Sequence, residues 1–294
     1  MEARPTDDQK FLAELGRRVR HARALRGMSR KVLARVSGIS ERYIAQLESG
    51  EGNVSIKLLR RVAAAMGSRI EDLVIDEAAS PDWPIIRDLL HVATDAQVAQ
   101  ARAILAGATP AAAATTPATD RVALIGLRGA GKSTLGRIAA ERLGATFVEL
   151  TKEVEQTNGL SVGEILALYG QEGLRRREQA ALREIIARPG AVILSVGGGI
   201  VAEPLTFDLL LTSFVTVWLK AAPEEHMARV RQQGDLRPMA VDDRGAMAEL
   251  RAILTSREPL YARARITVDT SGLAVEKAAE KLIAAIAPTA RLNR

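Results

Sequence analysis

Apolar residues follow two rhythms along the chain, and the change between them falls near residue 120. In the first quarter, Phe11, Leu12, Leu15, Val19, Ala22 and Leu25 recur at helical spacing with arginines on the opposite side, and Gly27 stops the run. Ser29 heads a short helix over 30–36, Gly38 breaks it, Ile39 turns inward, and Ser40 heads a second helix through Glu48. Val32, Leu33, Val36, Ile44 and Leu47 are the predicted core of this pair. Ser55 heads a fourth helix, and residues 69–74 make a fifth. From Arg121 the rhythm alternates: the strands "VALIGL", "TFVEL", "AVILSVGG", "FVTVWLK" and "ARITVDT" are separated by helices over 132–143, 152–157, 161–169, 172–187, 223–232 and 243–255, and a last helix covers 273–287. Alternation of this kind predicts a parallel sheet wrapped by helices.

The expected architecture is an all-α helix-turn-helix domain (1–76), a linker (77–119) and an α/β P-loop domain with a parallel sheet (120–294). Within the linker, residues 85–91 and 95–106 each predict a helix, and Trp83 a packing anchor. "GATPAAAATTPATD" is too poor in large apolar residues to pack, so 107–119 reads as a flexible tether.

Charge sharpens this division. Residues 1–75 hold 15 Lys/Arg against 9 Asp/Glu, a net of +6 that equals the total for the chain. A compact basic segment suits a polyanion, because neutralised phosphates release counterions. The chain has no cysteine, hence no disulfides or thiolate metal sites. No apolar run approaches the roughly 20 residues needed to span a bilayer, and "MEARPTDDQK" lacks a signal peptide's apolar stretch. The expected location is cytoplasmic, with no membrane partner.

The strongest chemical signal is "GLRGAGKST", residues 126–134, placed between a strand and a helix. Gly126, Leu127, Arg128, Gly129, Ala130, Gly131, Lys132, Ser133 and Thr134 form a loop whose backbone N–H groups and following helix dipole suit a phosphate. Lys132 would reach the outer phosphates, and Ser133 would hold magnesium.

The basic quarter resembles the Cro/C1-type helix-turn-helix family, through "MSRKVLARVSGIS" and "ERYIAQLESGEGNVS". The resemblance implies double-stranded operator DNA as partner and a homodimer. It implies Glu41, Arg42 and Gln46 at base edges and Ser40 near a phosphate. Arg30 and Asn53 would make phosphate contacts, and Tyr43 would be half core and half backbone contact.

The second part resembles shikimate kinase over roughly 120–288, through "GLRGAGKSTLGRIAAERLG", "GQEGLRRRE", "VGGGI", "DLRPM" and "REPLY". The resemblance implies that Arg175 and Arg257 hold an anionic ligand, that Gly197, Gly198 and Gly199 admit it to the backbone, and that Arg237 closes over the phosphates. One departure bears on activity. Where that family reads F-x-D-x-D, this chain reads "FVELT", so Glu149 replaces the magnesium-placing aspartate and Thr151 the base. A hydroxyl is no base near neutrality, and a positioned base contributes about 10²–10⁴-fold. Leu174 also stands where the family usually has an aromatic.

Joined in this order, the parts resemble the BzdR/BoxR type of transcriptional repressors, which respond to benzoyl-coenzyme A in aromatic-acid catabolism. That resemblance implies a repressor with no required cofactor, relieved by benzoyl-CoA or a related acyl-CoA, with ATP and magnesium as another possible occupant. An active shikimate kinase with a regulatory head and a pure dimerisation scaffold are the competing readings.

Overall fold

The computed structural model describes residues 6–51, 54–75, 83–105, 120–232 and 243–289. The head opens with α1 (Asp7–Leu25), started by a reciprocal cap in which Thr6 accepts from the Gln9 N–H and the Gln9 side chain accepts from Thr6. Next come α2 (Arg30–Ser37), α3 (Glu41–Ser49) and α4 (Ile56–Ala65), behind Ser29, Ser40 and Ser55, each accepting a backbone N–H. A single turn, α5 (Glu71–Val74), completes the bundle. Leu15, Val19, Leu33, Ile39, Ile44, Leu47, Leu59, Val62 and Leu73 pack into one core. Val36, expected in that core, is 54% exposed. The inner face of the short α2 is set by Leu33 and Ser37, four residues apart, and Val36 lies one step round the helix from it.

One carboxylate ties the head together. The Glu48 side chain is fully buried at the end of α3 and accepts from Arg23 on α1 at 3.1 Å and from Arg30 on α2 at 2.8 Å. Arg20 adds a bond to the Glu48 backbone carbonyl at 2.9 Å. Two helices, α6 (Trp83–Val92) and α7 (Asp95–Leu105), follow the head, and α6 lies along a body helix described below. The side chain of Trp83 and the predicted tether at 107–119 lie outside the described residues.

The body alternates β1 (Arg121–Ile125), α8 (Lys132–Leu143), β2 (Thr146–Glu149), α9 (Leu150–Asn158), α10 (Val162–Ala187), β3 (Val192–Ser195), α11 (Pro204–Ser213), β4 (Val215–Lys220), α12 (Pro223–Gln232), α13 (Asp243–Tyr261), β5 (Ile266–Asp269) and α14 (Val275–Ile286). The sheet order is β2-β3-β1-β4-β5 and every pairing is parallel, with Ala123 between Leu194 and Thr216. One face is covered by Leu150, Ile165, Leu182, Phe207, Phe214 and Tyr261, the other by Leu135 and Ala139 of α8 with Ala278 and Leu282 of α14. Gly170, in a left-handed conformation, bends α10 between the two helices predicted there. The pattern gave no sign of α11, which is the helix against which α6 rests.

Head and body touch. α1 runs beside α13, Arg26 pairs with Glu203, and Arg257 Nε donates to the Leu25 carbonyl at 2.8 Å. Among the described residues no helix is long and apolar enough to cross a membrane.

Removing a buried anion strands the cations around it, at a cost of about 3–5 kcal/mol. Glu48→Ala is therefore expected to lower the melting temperature of the head by circular dichroism, whereas Glu51→Ala, at an exposed position, is expected to leave it within about 0.5 kcal/mol of the parent.

Candidate functional site

Parallel strands all end on the same edge of the sheet, and the loops leaving β1, β3 and β4 meet there. Gly126 leaves β1 with φ 141°, and a Cβ at that position would lie 2.5 Å from the Leu219 carbonyl of β4, so only glycine fits. The loop then rises over Arg128 to Gly131 and enters α8 at Lys132. Lys132 Nζ donates to the carbonyls of Gly126 and Leu127 at 2.9 and 3.0 Å, which folds the side chain back over its own loop. Burial, with Arg257 and Arg128 nearby, pushes its pKa down to about 8.

His226 of α12 supports the loop from below. It is almost completely buried, and burial pushes its pKa down to about 4. Its Nδ1 lies 3.0 Å from the Arg128 carbonyl, which can only accept, so the neutral ring carries its proton there. Arg229 reaches the Gly129 carbonyl at 3.3 Å.

Ser133, at the start of α8, donates to Glu149 at the end of β2, and Lys152 pairs with the same carboxylate at 2.9 Å. Burial works to raise the Glu149 pKa, but the hydrogen bonds from Ser133 and Lys152 outweigh it and hold it below the usual range. A serine hydroxyl and a carboxylate side by side are oxygen donors of the type magnesium takes. Thr151 is exposed on the first turn of α9. Of the two carboxylates flanking it in sequence, Glu149 is engaged as described and Glu153 pairs with Arg188.

The glycine triplet and the two arginines expected to hold an anion come together beside the loop. A Cβ at Gly198 would sit 3.0 Å from the Gly126 carbonyl, so the triplet Gly197–Gly199 packs against the phosphate loop. Arg175 and Arg257 converge on Gly199, where a Cβ would lie 3.1 and 3.6 Å from their Nη2 atoms. Arg175 is held by Glu178 at 2.6 Å, one helical turn along α10. Tyr261 donates to the Gly198 carbonyl at 2.7 Å and stacks on Trp218. Leu174 is buried in the core rather than facing open space. Arg237, expected as the closing residue, lies outside the described residues.

On the head, Glu41, Arg42 and Gln46 are exposed along α3, and Tyr43 is half-buried. Ser40 caps α3, accepting from the Tyr43 N–H at 3.2 Å. Arg30 keeps part of its side chain exposed while it pairs with Glu48. Asn53 lies outside the described residues. Sequence reasoning missed Arg26, Glu178, Glu203 and Tyr261. Glu178 and Tyr261 carried local signals, three residues after Arg175 and four after Arg257 within "REPLY"; Arg26 and Glu203 reach the site through tertiary contacts.

Comparison with known proteins covers both parts. The shikimate kinase family model matches residues 128–287, and a helix-turn-helix model matches 19–73. The shikimate kinase of Thiobacillus denitrificans is 35% identical over 52% of this chain and 82% of its own length. That of Francisella tularensis is 33% identical over 56% of this chain and 93% of its own. Among solved structures, the shikimate kinase of Acinetobacter baumannii in complex with shikimate is 31% identical, with a TM-score of 0.52, covering 60% of this chain and 95% of that one. The shikimate kinase of Bacteroides thetaiotaomicron follows at 27% and 0.51.

The lowered Lys132 pKa sets a pH dependence. An ammonium with a pKa near 8 is mostly charged at pH 7 and mostly neutral at pH 9, and only the charged form attracts phosphate. Affinity for ADP or coenzyme A, by calorimetry, is expected to fall about tenfold from pH 7 to 9. Lys132→Ala is expected to bind weakly at both.

Proposed function

This chain belongs to the shikimate kinase family over residues 128–287 and carries a helix-turn-helix over 19–73, and from that premise we propose that it is a transcriptional repressor whose kinase-like body binds an effector without turning it over. The observation that carries the reading is Thr151. It occupies the place of the expected base, and the neighbouring carboxylates are engaged by Ser133, Lys152 and Arg188. Among the described residues this leaves no free carboxylate at that place to abstract a proton from a substrate hydroxyl, while the groups suited to binding remain: loop amides, Lys132 and two arginines.

The proposed effector is an aromatic acyl-CoA such as benzoyl-CoA, acting on genes of aromatic-acid catabolism. The adenine nucleotide and pyrophosphate of coenzyme A suit the loop from Gly126 to Thr134, and a benzoyl ring is similar in size to a cyclic acid. Ser133 with Glu149 would also hold the magnesium of bound ATP, which would supply charge neutralisation to the phosphates. On the head, α3 is the element proposed to enter the major groove of operator DNA, with Arg42 and Gln46 on base edges, in a homodimer whose half-sites lie about one helical turn apart.

The second reading, an active kinase under a regulatory head, is favoured by the Ser133–Glu149 pair, which keeps a metal-type donor set. A coupled ADP-release assay with shikimate separates the two. The repressor reading expects background turnover, and about 1–100 per second would overturn it. In a gel shift, benzoyl-CoA is expected to release operator DNA, with Lys132→Ala binding the operator normally but responding weakly. Arg42→Ala is expected to cost about 1–3 kcal/mol at one base position and to relax preference there.

A further inference from the structure

The anion pocket is not built from the body alone. The turn that ends α1 presses on the arginines from the head side: Leu25 accepts from Arg257 Nε at 2.8 Å, and a Cβ at Gly27 would meet Arg257 Nη2 at 3.0 Å. Between these two residues, Arg26 extends its guanidinium to Glu203, the residue just before α11. The same Glu203 oxygen lies 3.3 Å from Arg175 Nε. Arg26, Arg175 and Arg257 therefore gather where head and body meet.

Their charge is poorly matched. Arg257 is 6% exposed, and among the described residues no carboxylate pairs with it. Arg175 pairs with Glu178 through Nη1, but its buried Nε, 3.3 Å from Glu203, makes no hydrogen bond, and Glu203 serves two arginines at once. Burial, then repulsion from Arg175 and Arg257, pushes the Arg26 pKa down to about 10. Buried guanidinium groups left short of anions are a site for one.

We propose that Arg26, from the DNA-binding head, is a third ligand for the oxyanion held by Arg175 and Arg257, so that the bound anion fastens the head to the body. The oxyanion is a carboxylate or a phosphate. The inference rests on the repressor reading and supplies its missing link, since an effector acts only through unequal affinity for two states. Here the inequality is concrete. The docked state offers three arginines to the anion, and the undocked state offers two.

The docked posture also brings α13 to one edge of the reading face. Ser29, Arg30 and Glu41 face Gly245, Ala248, Glu249 and Ala252 of α13 across a cleft of about 420 Å³. Arg30 and Glu41 are among the proposed DNA contacts. A duplex contacted by Arg30 and Glu41 would meet α13 across that cleft, so fastening the head disfavours the operator.

The test uses the full-length chain in operator-binding titrations, with shikimate, free coenzyme A and benzoyl-CoA as probes, and calorimetry of each probe. Arg26→Gln is expected to tighten operator binding without any probe and to cut the probe response about fivefold or more, within the usual range of such couplings. Glu203→Gln is expected to act oppositely on the probe: with the competing carboxylate gone, release occurs at lower concentration. Opposite signs separate a ligand role from damage to the head, where Arg26 also donates to the Gly67 carbonyl. A response to shikimate alone identifies a carboxylate, and one to coenzyme A alone identifies phosphates. If Arg26→Gln responds like the wild type, the proposal is overturned and the repressor reading stands. Should no probe shift DNA binding, the effector assignment fails, and calorimetry decides: weaker probe binding by Arg26→Gln sustains Arg26 as a ligand, and equal binding, or none by the wild type, overturns it.

Discussion

β1 is hydrogen-bonded on both sides by parallel strands, and this constraint organises the whole body. A strand so placed must hand the chain over at its carboxyl end in very little space, because the neighbouring strands end at the same edge. Gly126, pressed against the Leu219 carbonyl, is the result. The glycine triplet after β3 packs against the loop that follows, and His226 props it from α12. Phosphate loop and anion pocket are thus two consequences of one parallel sheet, joined through the contact between Gly198 and Gly126.

Much of this was legible in the chain. The serine caps at 29, 40 and 55 announce three helices of the head because capping is a local exchange between a hydroxyl and an N–H two or three residues on. The phosphate loop is legible for a similar reason, being a continuous segment whose geometry is set by its own glycines. What escaped depends on distant partners. α11 has apolar residues on nearly every side, since it is wedged between the sheet and α6, so it shows no polar face to betray its period. Val36 reads as core by composition, and only the angle at which α2 meets its neighbours shows it facing out. Arg26 is one of many arginines in the head, and nothing local distinguishes it from those that face solvent. Its partner lies 177 residues away.

Two buried charge clusters invite comparison. Around Glu48, one anion meets Arg23 and Arg30 and also Arg20 through its backbone, and the cluster closes within the head. Around Glu203, Arg26 and Arg175 share one carboxylate, and Arg257 stands close by bonded only to the Leu25 carbonyl. The first arrangement holds a fold in one state. The second leaves a cationic surplus at a seam, where an added anion changes the balance between two arrangements of the same parts. A body that only recognises an anion, as proposed, needs no catalytic base, because recognition requires only the arginines and amides.

The sheet's pairing also bears on the order in which the molecule assembles. The head closes through helices that are near neighbours in sequence, whereas β1 must wait for Val192 of β3 and Val215 of β4. Short-range topologies form faster than long-range ones, and during synthesis the head also emerges first. The head is therefore a finished surface before the body exists, and the body folds in its presence. A lesion that slows or unfolds the body would leave a DNA-binding head with nothing to restrain it. If the head represses as proposed, loss of the kinase-like part in a cell would then produce permanent silencing of the target genes instead of loss of control.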